Sequence, residues 1–154
     1  LLLARLRRGE ALIQHGIFDE AENEIRAVLE TQPENEVALT RLAACLLAQG
    51  RAEEAFIPLN TAMNLRPNFP EAYYQRALLY LELEEADSAL RDFESTVLHD
   101  GRHLDALLRI AAIHHEREDY DKAESAWRRV LDAEPDNKLA RRRMEEVTAA
   151  LAKQ

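Results

Sequence analysis

Four alanines, Ala21, Ala55, Ala89 and Ala123, each stand 34 residues from the next, and this period constrains the chain more than any other feature of its sequence. A chain that repeats itself every roughly 20–50 residues builds one small unit per period and buries that unit's apolar face on its neighbours. In this register the repeats span residues 2–35, 36–69, 70–103 and 104–137, and a partial unit follows at 138–154. A second alanine column precedes the first by 17 residues as Ala4, Ala38, Ala72 and Ala106, and it continues into the partial unit as Ala140. Small side chains recur again as Gly9, Ala43, Ala77 and Ala111, with larger residues three further on at Leu12, Leu46, Tyr80 and His114. The second half of each unit carries Ile25, Leu59, Phe93 and Trp127, then Val28, Ala62, Thr96 and Val130, an apolar stripe at helical spacing. Pro33, Pro67 and Pro135 close the units, with Gly101 in the equivalent place once. Two amphipathic helices per repeat follow, each pair stopped by a residue that does not continue a helix.

Departures from the columns mark where neighbouring units should differ. The turn between the two helices holds Gly16 and Gly50 in the first two repeats but Glu84 and Glu118 in the last two. Glycine enters left-handed backbone without a Cβ penalty, whereas another residue there costs roughly 1 kcal/mol or more. Repeats three and four are therefore expected to turn differently or less stably. Pro58 lies inside the second helix of repeat two, where a missing N–H and a clash with the preceding turn predict a kink.

These columns resemble the tetratricopeptide repeat, whose pattern places a large residue, Leu-Gly, an aromatic, Ala, Phe and Pro at set offsets in a 34-residue unit. The resemblance covers four full units and implies an all-α fold: a right-handed superhelical solenoid of antiparallel helix pairs. Residues 1–154 then form a single array, with 138–154 as a capping helix. Leu139, Ala140, Met144, Val147 and Leu151 are expected to cover the last pair, while Arg141, Arg142, Glu145, Glu146 and Lys153 meet water. The other end looks uncapped, with Leu1, Leu2, Leu3 and Leu6 exposed, which suggests upstream chain, a second copy or another protein docked there. There is no initiator Met, in keeping with a domain excised from a longer chain.

Several functions are disfavoured by residue content. No run of 18 apolar residues exists to cross a membrane, and the short Leu1–Ala4 stretch passes directly into arginines rather than forming a signal-peptide core. The net charge of −9 argues against nucleic acid, whose nonspecific binding depends on clustered Lys and Arg. The run Arg141–Arg143 is followed by Glu145 and Glu146 at spacings suited to ion pairs on a solvated helix face. The lone Cys45 makes no intramolecular disulfide and shares a column with Ala11, Leu79 and Ile113, the place of a small buried hydrophobe. His99, Asp100, His103 and Asp105 are metal-ligand types, but Gly101 interrupts the helix that would align them. His114 falls in a core column and reads as an interior histidine with one polar edge. No phosphate-binding loop, nucleophile motif or cofactor signature is present, so no catalytic, cofactor or metal site is assigned and the chain reads as a non-enzyme. The compartment stays open, with the cytoplasm favoured.

The resemblance implies that the first helix of each pair lines a concave groove. Around such a helix, Leu39, Leu42, Ala43 and Leu46 share one face, which leaves Val37, Thr40, Arg41, Ala44, Leu47 and Ala48 on or near the other. The candidate peptide-binding residues are Arg7, Glu10, Ile13, Arg41, Ala44, Leu47, Tyr74, Gln75, Leu78, Leu81, Leu108, Arg109, Ala112, His115 and Arg143. One column reads Arg7, Arg41, Gln75, Arg109 and Arg143, beside an apolar strip of Leu6, Thr40, Tyr74 and Leu108 and a further one of Ile13, Leu47, Leu81 and His115. Guanidinium groups grip carboxylates bidentately, so the expected partner is a protein or peptide with apolar and acidic residues. The plainer alternative pairs each arginine within its own helix, Arg109 with Asp105 and Arg7 with Glu10. The family's two-carboxylate clamp for chaperone tails does not carry over, because its places hold Leu6, Glu10, Arg41, Glu71 and Gln75. The leading expectation is a noncatalytic interaction scaffold that binds a protein segment in its groove. The alternatives are a substrate-recruiting domain of a larger enzyme and a structural unit that self-assembles through its N-terminal end.

Overall fold

The computed structural model describes residues 1–154 and is wholly helical. Helices α1 (Leu2–Gln14), α2 (Phe18–Thr31), α3 (Glu36–Ala48), α4 (Ala52–Leu65) and α5 (Pro70–Glu82) lie in one compact unit, Leu1–Glu85. A second unit, Ala86–Gln154, holds α6 (Ala86–His99), α7 (Leu104–Glu116), α8 (Tyr120–Ala133) and α9 (Lys138–Leu151). Odd-numbered helices begin at Leu2, Glu36, Pro70, Leu104 and Lys138, and even-numbered ones at Phe18, Ala52, Ala86 and Tyr120, each series advancing by 34. No helix is long and apolar enough to cross a membrane.

Local chemistry sets these starts. The side chains of Asn35 and Asn137 accept from the N–H groups of Ala38 and Ala140 at 2.9 Å, and His103 Nδ1 does so from Ala106 at 3.2 Å. In the same column Phe69 caps nothing, and Pro70 opens α5, where its missing N–H is harmless. The loops before these helices share one turn, closed by Asn35 to Gln32, Phe69 to Arg66, His103 to Asp100 and Asn137 to Glu134, each at 3.1 Å. Proline fits its second position in three units. Where Gly101 replaces it, the carboxylate of Asp100 accepts from the Arg102 N–H at 3.2 Å and stiffens the turn instead. Asp100 and His103 are thus turn and cap residues, and no group of three or more histidine, cysteine or acidic side chains is arranged around a metal position.

The turns within the pairs depart from expectation. Glu84 and Glu118 adopt φ of 59° and 58°, beside 73° for Gly16 and 74° for Gly50. The hydrogen bonds agree as well: Ile17 to Leu12, Arg51 to Leu46, Glu85 to Tyr80 and Asp119 to His114, at 2.8–3.0 Å. All four are Schellman-type helix ends, in which one left-handed residue lets the chain bond back across the last turn. Repeats three and four do not turn differently, and in repeat four the packing of α7 on α8 imposes the conformation whatever the residue. Pro58 is buried inside α4, which runs unbroken over the same 14 residues as α2, α6 and α8. The proline therefore withholds a donor from the Glu54 carbonyl without breaking or shortening the helix.

Packing follows the small columns. Ala21, Ala55, Ala89 and Ala123 are fully buried. A Cβ added to Gly9 would stand 3.0 Å from Ile25 Cγ1, so α1 meets α2 over bare backbone. In the first unit Ile25, Val28, Leu46, Leu59 and Leu79 fill the core, and Phe56 meets Tyr80 edge-on at 5.7 Å between ring centroids. In the second, Phe93, Leu107, Ile110, Trp127, Val130 and Val147 are buried. Buried Thr40 and Thr96 spend their hydroxyls on the carbonyls of Glu36 and Asp92 at 2.8 and 2.9 Å. Cys45 is wholly buried, its sulfur 3.5 Å from the Phe18 carbonyl, and burial pushes the thiol pKa up. At the N-terminal end Leu1 and Leu3 are exposed, but Leu2 packs against the core and Leu6 belongs to it, which narrows the expected four-leucine patch to two. Arg8 spans from there to Glu24 at 2.9 Å and Arg5 to the same carboxylate at 3.5 Å.

A polar staple ties the first two repeats together. Glu22 of α2 receives Arg26 at 2.7 Å, Arg51 at 2.8 Å and Gln49 at 3.0 Å, and Arg51 also holds Glu54 at 2.6 Å. Burial alone would raise the Glu22 pKa, but the hydrogen bonds from Gln49, Arg26 and Arg51 outweigh it and leave the carboxyl below its ordinary value.

Two predictions follow from these turns and pairs. Glu118→Gly removes left-handed strain and is expected to raise unfolding free energy by about 0.5–1 kcal/mol, read as a higher urea midpoint by circular dichroism. The stabilisation from Glu22 is complete above the unfolded-chain glutamate value of about 4.3 and is lost as pH falls through its lower folded value. Between pH 7 and strongly acidic pH, Glu22→Gln should therefore lose less of its urea midpoint than wild type does.

Candidate protein-binding groove

Within the first unit α3 packs beside both α1 and α5, so the outward residues of these three helices share one face. Ile13, Leu47 and Leu81 form a half-buried apolar row there. Ala44, Leu78 and Tyr74 continue it, together with Gln75, also half-buried. Arg7 is exposed on the same face. Two positions expected in the strip do not belong to it: Leu6 and Thr40 are 6% and 2% exposed and point into the protein. The free edge of α3 is the narrower stripe of Val37, Arg41, Ala44, Leu47 and Ala48.

The arginine column divides by partner. Arg41 Nη1 lies 2.8 Å from Glu10 Oε1 across neighbouring repeats. Gln75 donates to Glu71 one turn back at 2.9 Å. Arg143 binds Glu146 at 2.7 Å and holds that carboxyl below its ordinary pKa. Arg7 and Arg109 are exposed and make no ion pair within 4 Å. The pairs of Arg7 with Glu10 and of Arg109 with Asp105, which the plainer alternative offered, do not form. Glu10 reaches the next repeat instead.

In the second unit Leu108 and Ala112 are half-buried and Arg109 projects outward, but His115 is a tie rather than an open groove position. Its Nδ1 accepts from Trp127 Nε1 at 3.3 Å, its Nε2 lies 3.5 Å from Glu146 Oε2, and Tyr120 stands edge-on at 6.3 Å. One imidazole therefore joins α7, α8 and α9. Sequence reading missed this tie and the Glu10–Arg41 pair, although both carry a signal: each links residues 31 apart, one period less one turn. Beside it His114 is 8% exposed and its Nδ1 has no hydrogen-bond partner, with Asp119 Oδ2 at 3.8 Å. Burial is the main cause that lowers its pKa, reinforced by Lys122 and Arg117 and opposed by Asp119.

Sequence patterns of the tetratricopeptide repeat match residues 12–79 and 74–138, so together they run from the end of α1 to the start of α9 and cover well over half of the chain. The chain belongs to the tetratricopeptide repeat family. Its fold is the family's all-α helical solenoid, and the MamA protein superimposes with a TM-score of 0.78 over 98% of this chain and 82% of that one, at 19% identity. The first tetratricopeptide domain of Spaghetti (RPAP3), solved bound to an HSP90 peptide, matches with a TM-score of 0.65 and 25% identity, over 76% of this chain and 95% of that one. Sperm-associated antigen 1 of Rattus norvegicus is 33% identical over 102 residues, which is 66% of this chain but 11% of that protein.

For this tetratricopeptide chain, the His114 geometry gives a signed pH dependence. The folded state holds the imidazole neutral and the unfolded chain binds the proton more readily, so stability is present above about pH 6.5 and falls as pH drops through the lowered folded value. His114→Tyr, the residue that repeat three carries in this column, should lessen the loss of melting temperature between pH 7.5 and pH 5.

Proposed function

We propose that this chain is a noncatalytic scaffold that holds a peptide or protein segment on the face shared by α1, α3 and α5. The observation that carries this reading is the half-buried apolar row of Ile13, Leu47 and Leu81, extended by Ala44, Leu78 and Tyr74, on helices whose other faces already fill the core. An apolar strip left beside charged residues is a usual mark of a partner site. Membership in a family of interaction repeats supports it, as does a relative at 25% identity solved with a peptide bound. The segment we propose is apolar with interspersed acids, because Arg7 stands exposed and unpaired on that face of a chain with net charge −9. A chaperone tail is not the partner proposed, since the clamp positions hold Leu6, Glu10, Arg41, Glu71 and Gln75.

Selection from a displayed random-peptide library tests the reading. Selected peptides should be rich in aliphatic and acidic residues and should compete with one another. Leu47→Glu places a charge in the apolar row, and loss of one buried anchor corresponds to roughly 1.5–3 kcal/mol, or about tenfold or more in Kd. Binders that hold Leu47→Glu as tightly as wild type, with the helical spectrum unchanged, would overturn the groove assignment.

A further inference from the structure

We propose that Glu10 is a built-in competitor for Arg41: it occupies the guanidinium from the neighbouring repeat until a partner's carboxylate takes its place. The inference rests on the groove reading above and adds a residue that selects which charges a partner may carry.

Among the four full repeats Glu10 is the only acid in its column, where the others hold Ala44, Leu78 and Ala112, and the partial unit carries Glu146 there. Glu10 stands one turn after Arg7 on the same helix, the neighbour that a helical ion pair would ordinarily use. Its carboxylate turns instead to α3, where Oε1 lies 2.8 Å from Arg41 Nη1 and Arg7 is left unpaired. The contact joins one nitrogen to one oxygen, so most donors of the guanidinium fork remain unspent. A partner's carboxylate that took the fork bidentately would make the stronger bond. Both side chains are accessible to such a rival, Arg41 at 33% exposure and Glu10 at 43%. Pairs this exposed are weak and exchange readily. Arg7 is thus the charge first met by an acidic partner on this unit, and Arg41 is read only when Glu10 yields.

The test uses fluorescein-labelled peptides of alternating leucine and glutamate, solubilised by a polyethylene glycol tail, and their counterparts with glutamine for glutamate. Anisotropy titrations compare wild type, Glu10→Gln and Glu10→Gln/Arg41→Gln, each with its helical spectrum checked. The glutamate peptide should bind Glu10→Gln about fivefold tighter than wild type, the double variant should lose that gain, and the glutamine peptide should be indifferent. Phenylglyoxal labelling read by mass spectrometry supplies an arm that needs no peptide: Arg41 should react more slowly than Arg7 in wild type and at a similar rate in Glu10→Gln. Equal labelling of both arginines in wild type overturns the masking. Equal response of the two peptides to Glu10→Gln overturns the selectivity while leaving the groove intact. No binding of either peptide by any variant overturns the groove reading and the competitor role with it.

Discussion

Everything in this structure depends on how closely the two helices of a repeat approach. Within the two units the contact is made by methyl-sized side chains, Ala21, Ala55 and Ala123 on one helix and Gly9, Ala43 and Ala111 on the other, and all of them are buried. Close-packed interiors leave no slack for a longer chain at such points. Helices held this near must be joined by a connection just as tight, and residues 15–17, 49–51 and 117–119 supply it through one left-handed residue per turn. The strain at Glu118 is therefore a consequence of packing and not a local preference. Roughly 1 kcal/mol of backbone cost is small against the apolar surface that the turn brings together.

That hierarchy explains how far the fold could be read from the sequence. Helix positions were legible because the period fixes register, whereas the capping chemistry of Asn35, Asn137 and Pro70 that sets three of the starts went unread although it is local. The turn geometry of repeats three and four was not legible, since residue type states only what a conformation costs and not whether packing will impose it. The outward face of the first helices was half legible. A wheel with one buried face correctly leaves Arg41, Ala44 and Leu47 outward, yet it also sends Leu6 and Thr40 outward, and both are buried. The odd-numbered helices touch neighbours on more than one side, so α3 packs with α1, α2, α4 and α5, and the buried arc is wider than a single face. Thr40 joins that arc at little cost because its hydroxyl is satisfied by its own helix.

Charge is the least legible layer, and the reason is geometric. Reading a column of arginines as a basic rail treats each one alone, whereas residues on adjacent first helices meet at an offset of 31, as Glu10 and Arg41 do and as His115 and Glu146 do. Partner choice at each place in the column then turns on what stands 31 residues earlier. For Arg41 that residue is Glu10, and the pair forms between helices. For Gln75 it is Ala44 and for Arg143 it is Ala112, neither of which can accept, and both turn to an acid in their own helix, Glu71 and Glu146. The same column thus yields a bridged arginine, a neutral amide, a helix-paired arginine and exposed, unpaired ones at Arg7 and Arg109. The charge that this surface presents is set by those neighbours, not by the count of arginines along it.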